Sequence, residues 1–282
     1  MKYFLFLLIL FYGGCTSRSN KEEKTAIKLD SITTDTYRKL FSSSFKWNDV
    51  EMKASNEEKH AFVKSSFPYI LNSGDTAYLR SVHAIDFNND GRKDFVYSGP
   101  GPVTMMTVLN ITGDTTGFFS QDASIVDMDI VDKKVRRLYT FSLLASGGPA
   151  IEGYSIIDIN YGENKTDFTN RINLDVIGGV EPPKNFSIFD VESASDSLPF
   201  RYAPIALDTP LNYLLELPGN QIGKIFKGTR ATVIGQQKDS LGVNWYFTLI
   251  GSQYKIYKYV HGWDTTVHSF AVGWVNENGW SK

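Results

Sequence analysis

The sequence predicts a mainly β protein: an α+β domain with short helices followed by an antiparallel sheet, and then a second, smaller β unit. First, residues 36–71 place apolar residues three or four positions apart, which is the spacing of amphipathic helices. Second, residues 78–179 contain short β-branched and aromatic runs separated by Gly, Pro, Asn and Asp, as strands joined by turns are. Third, residues 199–282 repeat this pattern and hold four of the five tryptophans.

Individual elements have local signals of their own. Asn56-Glu57-Glu58 suits the start of a helix, and Pro68 limits how far that helix can continue. The adjacent prolines Pro182 and Pro183, two glycines and a Ser/Asp-rich patch in residues 178–200 predict a connector, with a domain boundary near residue 198. The runs predicted to be strands in the first domain are FVYSG, VTMMTVLNI, SIVDMDIV, RRLYTFSLLAS, EGYSIIDINYG and INLDVIGG.

The composition allows a folded core and argues against nucleic acid as a partner. The 282 residues are 42% hydrophobic, which is enough for one large domain or two small ones. Basic and acidic residues nearly balance, at 29 and 31, and no basic run is interleaved with aromatic residues. A nucleic-acid surface needs such clustered positive charge.

The N-terminus carries a targeting signal. Lys2 precedes an apolar run from Tyr3 to Tyr12, too short to span a bilayer but suited to a signal peptide, and Gly13-Gly14-Cys15 follows. This segment resembles a bacterial lipoprotein signal. The resemblance implies removal of residues 1–14 and a lipidated Cys15 that holds the protein at a membrane. Cys15 is the only cysteine, so no disulfide competes for it. The alternative is an ordinary secretory signal that is cut elsewhere.

Residues 15–35 are polar and lack periodicity, which predicts a flexible tether. Thr16, rather than aspartate, follows the cysteine, so the lipoprotein resemblance implies the outer membrane. We therefore expect a signal peptide (1–14), a tether (15–35), an α+β domain (36–198) and a small β domain (199–282).

Polar residues alternate in the segment AIDFNNDGRKDFVYSG. Alternate positions of a tight loop can aim side-chain oxygens inward, and Ca²⁺ takes six to eight oxygen ligands. A divalent cation would also relieve the repulsion between crowded carboxylates. Numbered from the first aspartate, positions 1, 3, 5, 6, 7 and 9 are Asp86, Asn88, Asp90, Gly91, Arg92 and Asp94.

Position 12 of this loop is Tyr97, where an EF-hand needs glutamate, and a strand-like run follows instead of a helix. The spacing resembles the calcium loops of FG-GAP/VCBS repeats. The resemblance implies Ca²⁺ in a structural role, with side-chain ligands from Asp86, Asn88, Asp90 and Asp94 and the backbone carbonyl of Arg92. The sequence contains one copy of this loop, which predicts a single calcium-stabilised hairpin. The alternative is a hairpin closed by Asx turns, whose acids face water.

The C-terminal residues resemble bacterial SH3-like (SH3b) domains. The match rests on Gly219, Ile222-Gly223, Gly228-Thr229, Trp245-Tyr246 and Gly273-Trp274-Val275. It implies a small, partly open barrel over residues 199–282. The family implies contact with peptidoglycan or a protein partner, and aromatic faces could receive such a ligand. The candidate ligand-binding residues are Tyr246, Tyr257, Trp263 and Trp280, each of which could instead be a core residue.

No catalytic pattern stands out. Cys15 belongs to the signal, so no cysteine is left as a nucleophile. The four histidines form no zinc-binding spacing, and no G-x-S-x-G segment occurs. We therefore expect a non-catalytic, lipid-anchored envelope protein that binds a ligand or partner. Two alternatives stay open: an envelope hydrolase that uses carboxylates of the middle domain, and an architectural subunit of a surface complex.

Overall fold

The structure is a computed structural model, and the mainly β fold class is confirmed. The signal peptide, Cys15, most of the tether and Trp263 lie outside the described residues. The described residues are 32–42, 45–73, 76–101, 104–114, 117–144, 151–163, 165–177, 180, 182–209, 219–259 and 269–281.

Two short α-helices have clear start signals. Helix α1 (Thr34–Leu40) begins after Thr33, whose hydroxyl accepts a backbone N–H of the first turn. Helix α2 (Asn56–Ser66) begins where the sequence predicted. The Ser55 hydroxyl accepts from the Glu58 N–H, and the Glu58 carboxylate accepts from the Ser55 N–H. This reciprocal capping box satisfies two N–H groups that a helix start otherwise leaves open.

Helix α2 packs on an antiparallel sheet of four strands in sequence order. Phe62 and Val63 of α2 are buried against Tyr97 and Val108 of the sheet. The predicted hairpin accounts for the two strands that flank the aspartate loop, whereas the fourth strand, a run of only four residues, was not predicted. The strands are β1 (Val82–Ile85), β2 (Asp94–Pro100), β3 (Met105–Asn110) and β4 (Phe118–Gln121).

The remaining strands form one sheet of twelve. They are β5 (Ser124–Val131), β6 (Lys134–Leu144), β7 (Ile151–Tyr161), β8 (Thr166–Ile177), β9 (Phe186–Ser193), β10 (Ser197–Arg201), β11 (Gln221–Phe226), β12 (Arg230–Lys238), β13 (Asn244–Gly251), β14 (Tyr257–Lys258), β15 (Ser269–Asn276) and β16 (Trp280–Ser281). The main path runs β16-β9-β12-β13-β15-β8-β7-β6-β5, and β10 pairs with β11 and β15. Helix α1 covers one face, where Tyr37 and Leu40 join a core that contains Trp245, Phe247 and Trp274.

The large sheet runs through the position of the predicted boundary. Residue 198 lies inside β10, and β9, which precedes it, pairs with β12. Strand β15 pairs in parallel with β8, from Ser269 opposite Asn173 to Val272 opposite Val176. The Ser/Asp-rich residues 194–196 make the short turn between β9 and β10. Hydrogen bonding between strands therefore joins the chain before residue 198 to the chain after it.

Candidate functional site

The aspartate loop between β1 and β2 is closed by its own hydrogen bonds. Asp86 accepts from the backbone N–H of Asp90 at 3.0 Å with one oxygen and from that of Gly91 at 2.8 Å with the other. Asp90 accepts from the backbone N–H of Arg92 at 2.8 Å and from the Arg92 Nε at 3.0 Å. Gly91 has φ of +82°, a value that favours glycine, so the predicted sharp turn is present.

Asp94 is fully buried at the end of this loop. Its carboxylate accepts from the backbone N–H of Phe87 at 2.8 Å and from that of Thr112 at 2.7 Å. Burial raises the pKa of Asp94 to about 6, while these two N–H donors act in the opposite direction. Asp94 therefore joins the loop to the turn after β3.

The loop contains two Asx turns, in which the side chains of Asn88 and Asp90 each accept the backbone N–H two residues on, although Asp94 is buried and does not face water. Each carboxylate keeps lone pairs beyond those its N–H partners use. The Arg92 guanidinium is nevertheless paired with the carboxylate of Asp90, which is one of the predicted calcium ligands. Among the described residues no group of three His, Cys, Asp or Glu side chains is arranged to hold a metal ion. Calcium binding would require Arg92 to leave Asp90, and it stays a prediction.

The aromatic candidates occupy different environments. Tyr246 is only 5% exposed; its ring contacts Phe189 edge-on at 5.3 Å and its hydroxyl donates to Glu277. Tyr257 is 55% exposed, and its ring contacts that of Tyr259 at 5.2 Å. Trp280 packs partly buried against the core around Tyr246. Of these three rings, only that of Tyr257 has most of its surface in solvent.

The structure contains a cavity that the sequence reasoning did not single out. It has a volume of about 580 Å³ and lies on strands β9, β12, β13 and β15. Its apolar lining includes Leu249 and Phe270, which are 1% and 9% exposed, and the charged side chains of Asp190, Glu192 and Arg230 line it as well. No motif could have revealed it, because these residues come from four strands.

Strand register explains why the cavity is there. Asp190 lies opposite Thr232, which lies opposite Leu249 on the next strand. Two residues further along β13, Gly251 lies opposite Phe270 of β15. A Cβ atom at Gly251 would be 2.2 Å from the side-chain oxygen of Gln253, which folds back over this glycine. Gln253 therefore occupies the place that a side chain at position 251 would take, and it forms part of the cavity lining.

Two polar pairs form one side of the cavity. The Thr232 hydroxyl donates to Asp190 at 2.8 Å. The Arg230 Nε donates to Glu192 at 3.0 Å, and this ion pair is solvent-exposed, with 74% of the Arg230 side chain and 48% of the Glu192 side chain accessible. The hydrogen bond from Arg230 to Glu192 raises the pKa of the guanidinium.

A hydrolase would need carboxylates that face a common cleft. Burial raises the pKa of Asp94, Asp127 and Asp175. They lie on β2, β5 and β8, and their hydrogen-bond partners are backbone N–H groups for the first two and the side chain of Ser269 for the third. Their raised pKa values therefore follow from burial at separate structural positions.

Comparisons with known proteins assign no family: no family model, curated protein or solved structure matches the chain. In the part of the chain that the structure describes, no helix is long and apolar enough to cross a membrane.

Proposed function

We propose that this chain is a lipid-anchored, non-catalytic binding protein of the cell envelope, whose C-terminal strands contact peptidoglycan through the cavity beside Arg230. The observation that carries this proposal is the cavity itself. Ligand sites are concave, measure roughly 300–1,000 Å³, and combine apolar walls with a few polar groups. The cavity has about 580 Å³ and offers both kinds of lining.

Localisation rests on the N-terminal sequence. The lipoprotein-like signal that ends at Cys15 supports a location outside the cytoplasm and on a membrane, and the described residues begin after it, at Ile32. Ile32 is itself buried in the core that α1 covers. Removal of residues 1–14 would therefore leave every described residue in place.

The SH3-like part of the proposal is supported by strand arrangement and burial. Gly228, with φ of +79°, makes the turn between β11 and β12 at the position that the sequence indicated. Trp245 and Trp274, both part of the SH3b resemblance, are buried.

The test is co-sedimentation of residues 16–282 with purified cell-wall sacculi. We expect the protein to pellet with sacculi, and Arg230→Ala to reduce the pelleted fraction. Arg38→Ala is the matched control, because Arg38 also forms an exposed ion pair, with Asp35, but lies on α1. Truncation at residue 198 is a poor control, since it removes the strand partners of β8 and β9. Failure to pellet would contradict wall binding.

A further inference from the structure

We infer that the cavity takes an uncharged, hydroxyl-rich ligand, namely a short saccharide. The inference rests on the proposed function, because it names the ligand class of the same cavity. It is carried by three features that meet there: a neutralised ion pair, a second carboxylate that already accepts from a hydroxyl group, and an apolar wall.

The ion pair favours a neutral ligand. Arg230 and Glu192 neutralise each other at 3.0 Å. An anionic ligand that bound Arg230 in place of Glu192 would leave the Glu192 carboxylate without its partner. A cationic ligand that bound Glu192 would leave the Arg230 guanidinium without its partner. The contact uses one nitrogen of Arg230 and one oxygen of Glu192. The guanidinium has further N–H donors and the carboxylate a second oxygen, so a neutral ligand can bind both without breaking the pair.

The polar groups are spaced for a ligand with several hydroxyls. Asp190 and Glu192 are two residues apart on β9, so they share a face and lie about 6.6 Å apart along the strand. Thr232 and Arg230 lie opposite them on β12. Two acceptors on β9 therefore face two donors on β12, at the corners of a rectangle. Hydroxyl groups on adjacent carbons of a sugar ring both donate and accept, and hydrogen bonds to charged groups are the stronger ones.

The apolar wall suits the faces of a sugar ring. Leu249 and Phe270 line the cavity beside Gly251, and Tyr254 stands at the turn that follows. A pyranose ring is polar around its edge and presents C–H groups on its faces. It can therefore meet the charged pairs and the apolar side chains at once, whereas a peptide ammonium or an anionic headgroup would use only the charged side.

The experiment titrates tetrasaccharides into residues 16–282 by isothermal calorimetry. The probes are the β-1,4-linked N-acetylglucosamine, β-1,4-linked glucose and α-1,4-linked glucose tetramers, with the peptide Ala-Glu-Lys-Ala as the charged comparison. We expect at least one saccharide to bind. Asp190→Ala and Arg230→Ala should each weaken it about ten-fold, as the loss of a charged hydrogen bond does, and Arg38→Ala should not. Binding should change little between roughly 0.05 and 0.5 M salt, because the ligand is neutral.

Three outcomes would overturn the inference. The first is that no tetrasaccharide binds. The second is that a saccharide binds equally well to the Asp190 and Arg230 variants, so that its site lies elsewhere. The third is that the peptide binds instead, with strong salt dependence. If sacculi still pellet the protein in any of these cases, wall binding stands and only the ligand class is wrong. If the protein also fails to pellet with sacculi, the proposed function is wrong as well.

Discussion

The carboxylate of Asp94 accepts a hydrogen bond from the backbone N–H of Thr112 at 2.7 Å, which ties the start of β2 to the turn after β3. Its second oxygen accepts from the backbone N–H of Phe87. A fully buried carboxylate thus closes both the aspartate loop and the neighbouring turn. This arrangement makes the hairpin sensitive to the charge of one side chain.

Stability should depend on the ionisation of Asp94. Its pKa in the folded chain is raised from 3.8 to about 6 by burial. Between these values the folded state binds more protons than the unfolded state, so this contribution is full below pH 3.8 and is lost as pH rises through about 6. The loss is on the order of 3 kcal/mol. Asp94→Asn should flatten the pH dependence of the free energy of unfolding in this window.

The measurement is urea denaturation at several pH values in the presence of a chelator. Asp190→Asn is the matched control, because that aspartate is exposed and should leave the slope unchanged. A slope that is equal in wild type and Asp94→Asn would show that Asp94 does not titrate in this range.

Calcium should raise the unfolding temperature if the loop binds it. Asp90→Ala should abolish that response, because it removes a predicted ligand. Arg92→Ala keeps the predicted carbonyl ligand but removes the guanidinium that pairs with Asp90, so its response should be as large as in wild type or larger. Thermal unfolding with and without millimolar calcium checks both variants. No calcium response in the wild type would establish the Asx-turn alternative.

A row of charges crosses strands β5, β6 and β7, and its centre should contribute to stability. Arg137 donates to Asp158 at 2.8 Å and to Asp129 at 3.2 Å, and all three side chains are largely buried. Arg137→Ala leaves two part-buried carboxylates without this partner, so we expect a loss of about 2–4 kcal/mol. Arg38→Ala, at an exposed pair, should cost less than about 1 kcal/mol. Similar losses in the two variants, measured by urea denaturation, would contradict this assignment.

Membrane attachment should depend on Cys15. Cys15→Ser removes the thiol that the lipoprotein resemblance assigns to lipidation, so the protein should move from the membrane fraction to the supernatant. Fractionation after a high-salt wash measures this. A variant that still pellets with membranes would favour attachment by other means.

Local features of the fold could be read from the sequence because neighbouring residues determine them. The capping residues before α2 set its start, and the glycine at position 91 sets the sharp turn of the aspartate loop. Runs of β-branched and aromatic residues between turn residues identified the longer strands. The short strand β4 lacked such a run and was not predicted.

The candidate site could not be read in the same way. Alternation shows which side chains share a face of a strand, but it does not show which strand lies next to it. The parallel pairing of β8 with β15 joins residues about a hundred positions apart, and no local signal specifies it. For the same reason Tyr246 and Tyr257 looked alike as candidates, although one is buried and the other exposed.

The sequence by itself determined the mainly β class, the helix start at Asn56, the loop turn at Gly91 and the turn at Gly228, since each depends on the conformational preferences of adjacent residues. The tertiary structure alone decided that Asp190, Arg230, Leu249 and Phe270 line one cavity. Their meeting depends on the register of four strands, which is set by packing between distant parts of the chain.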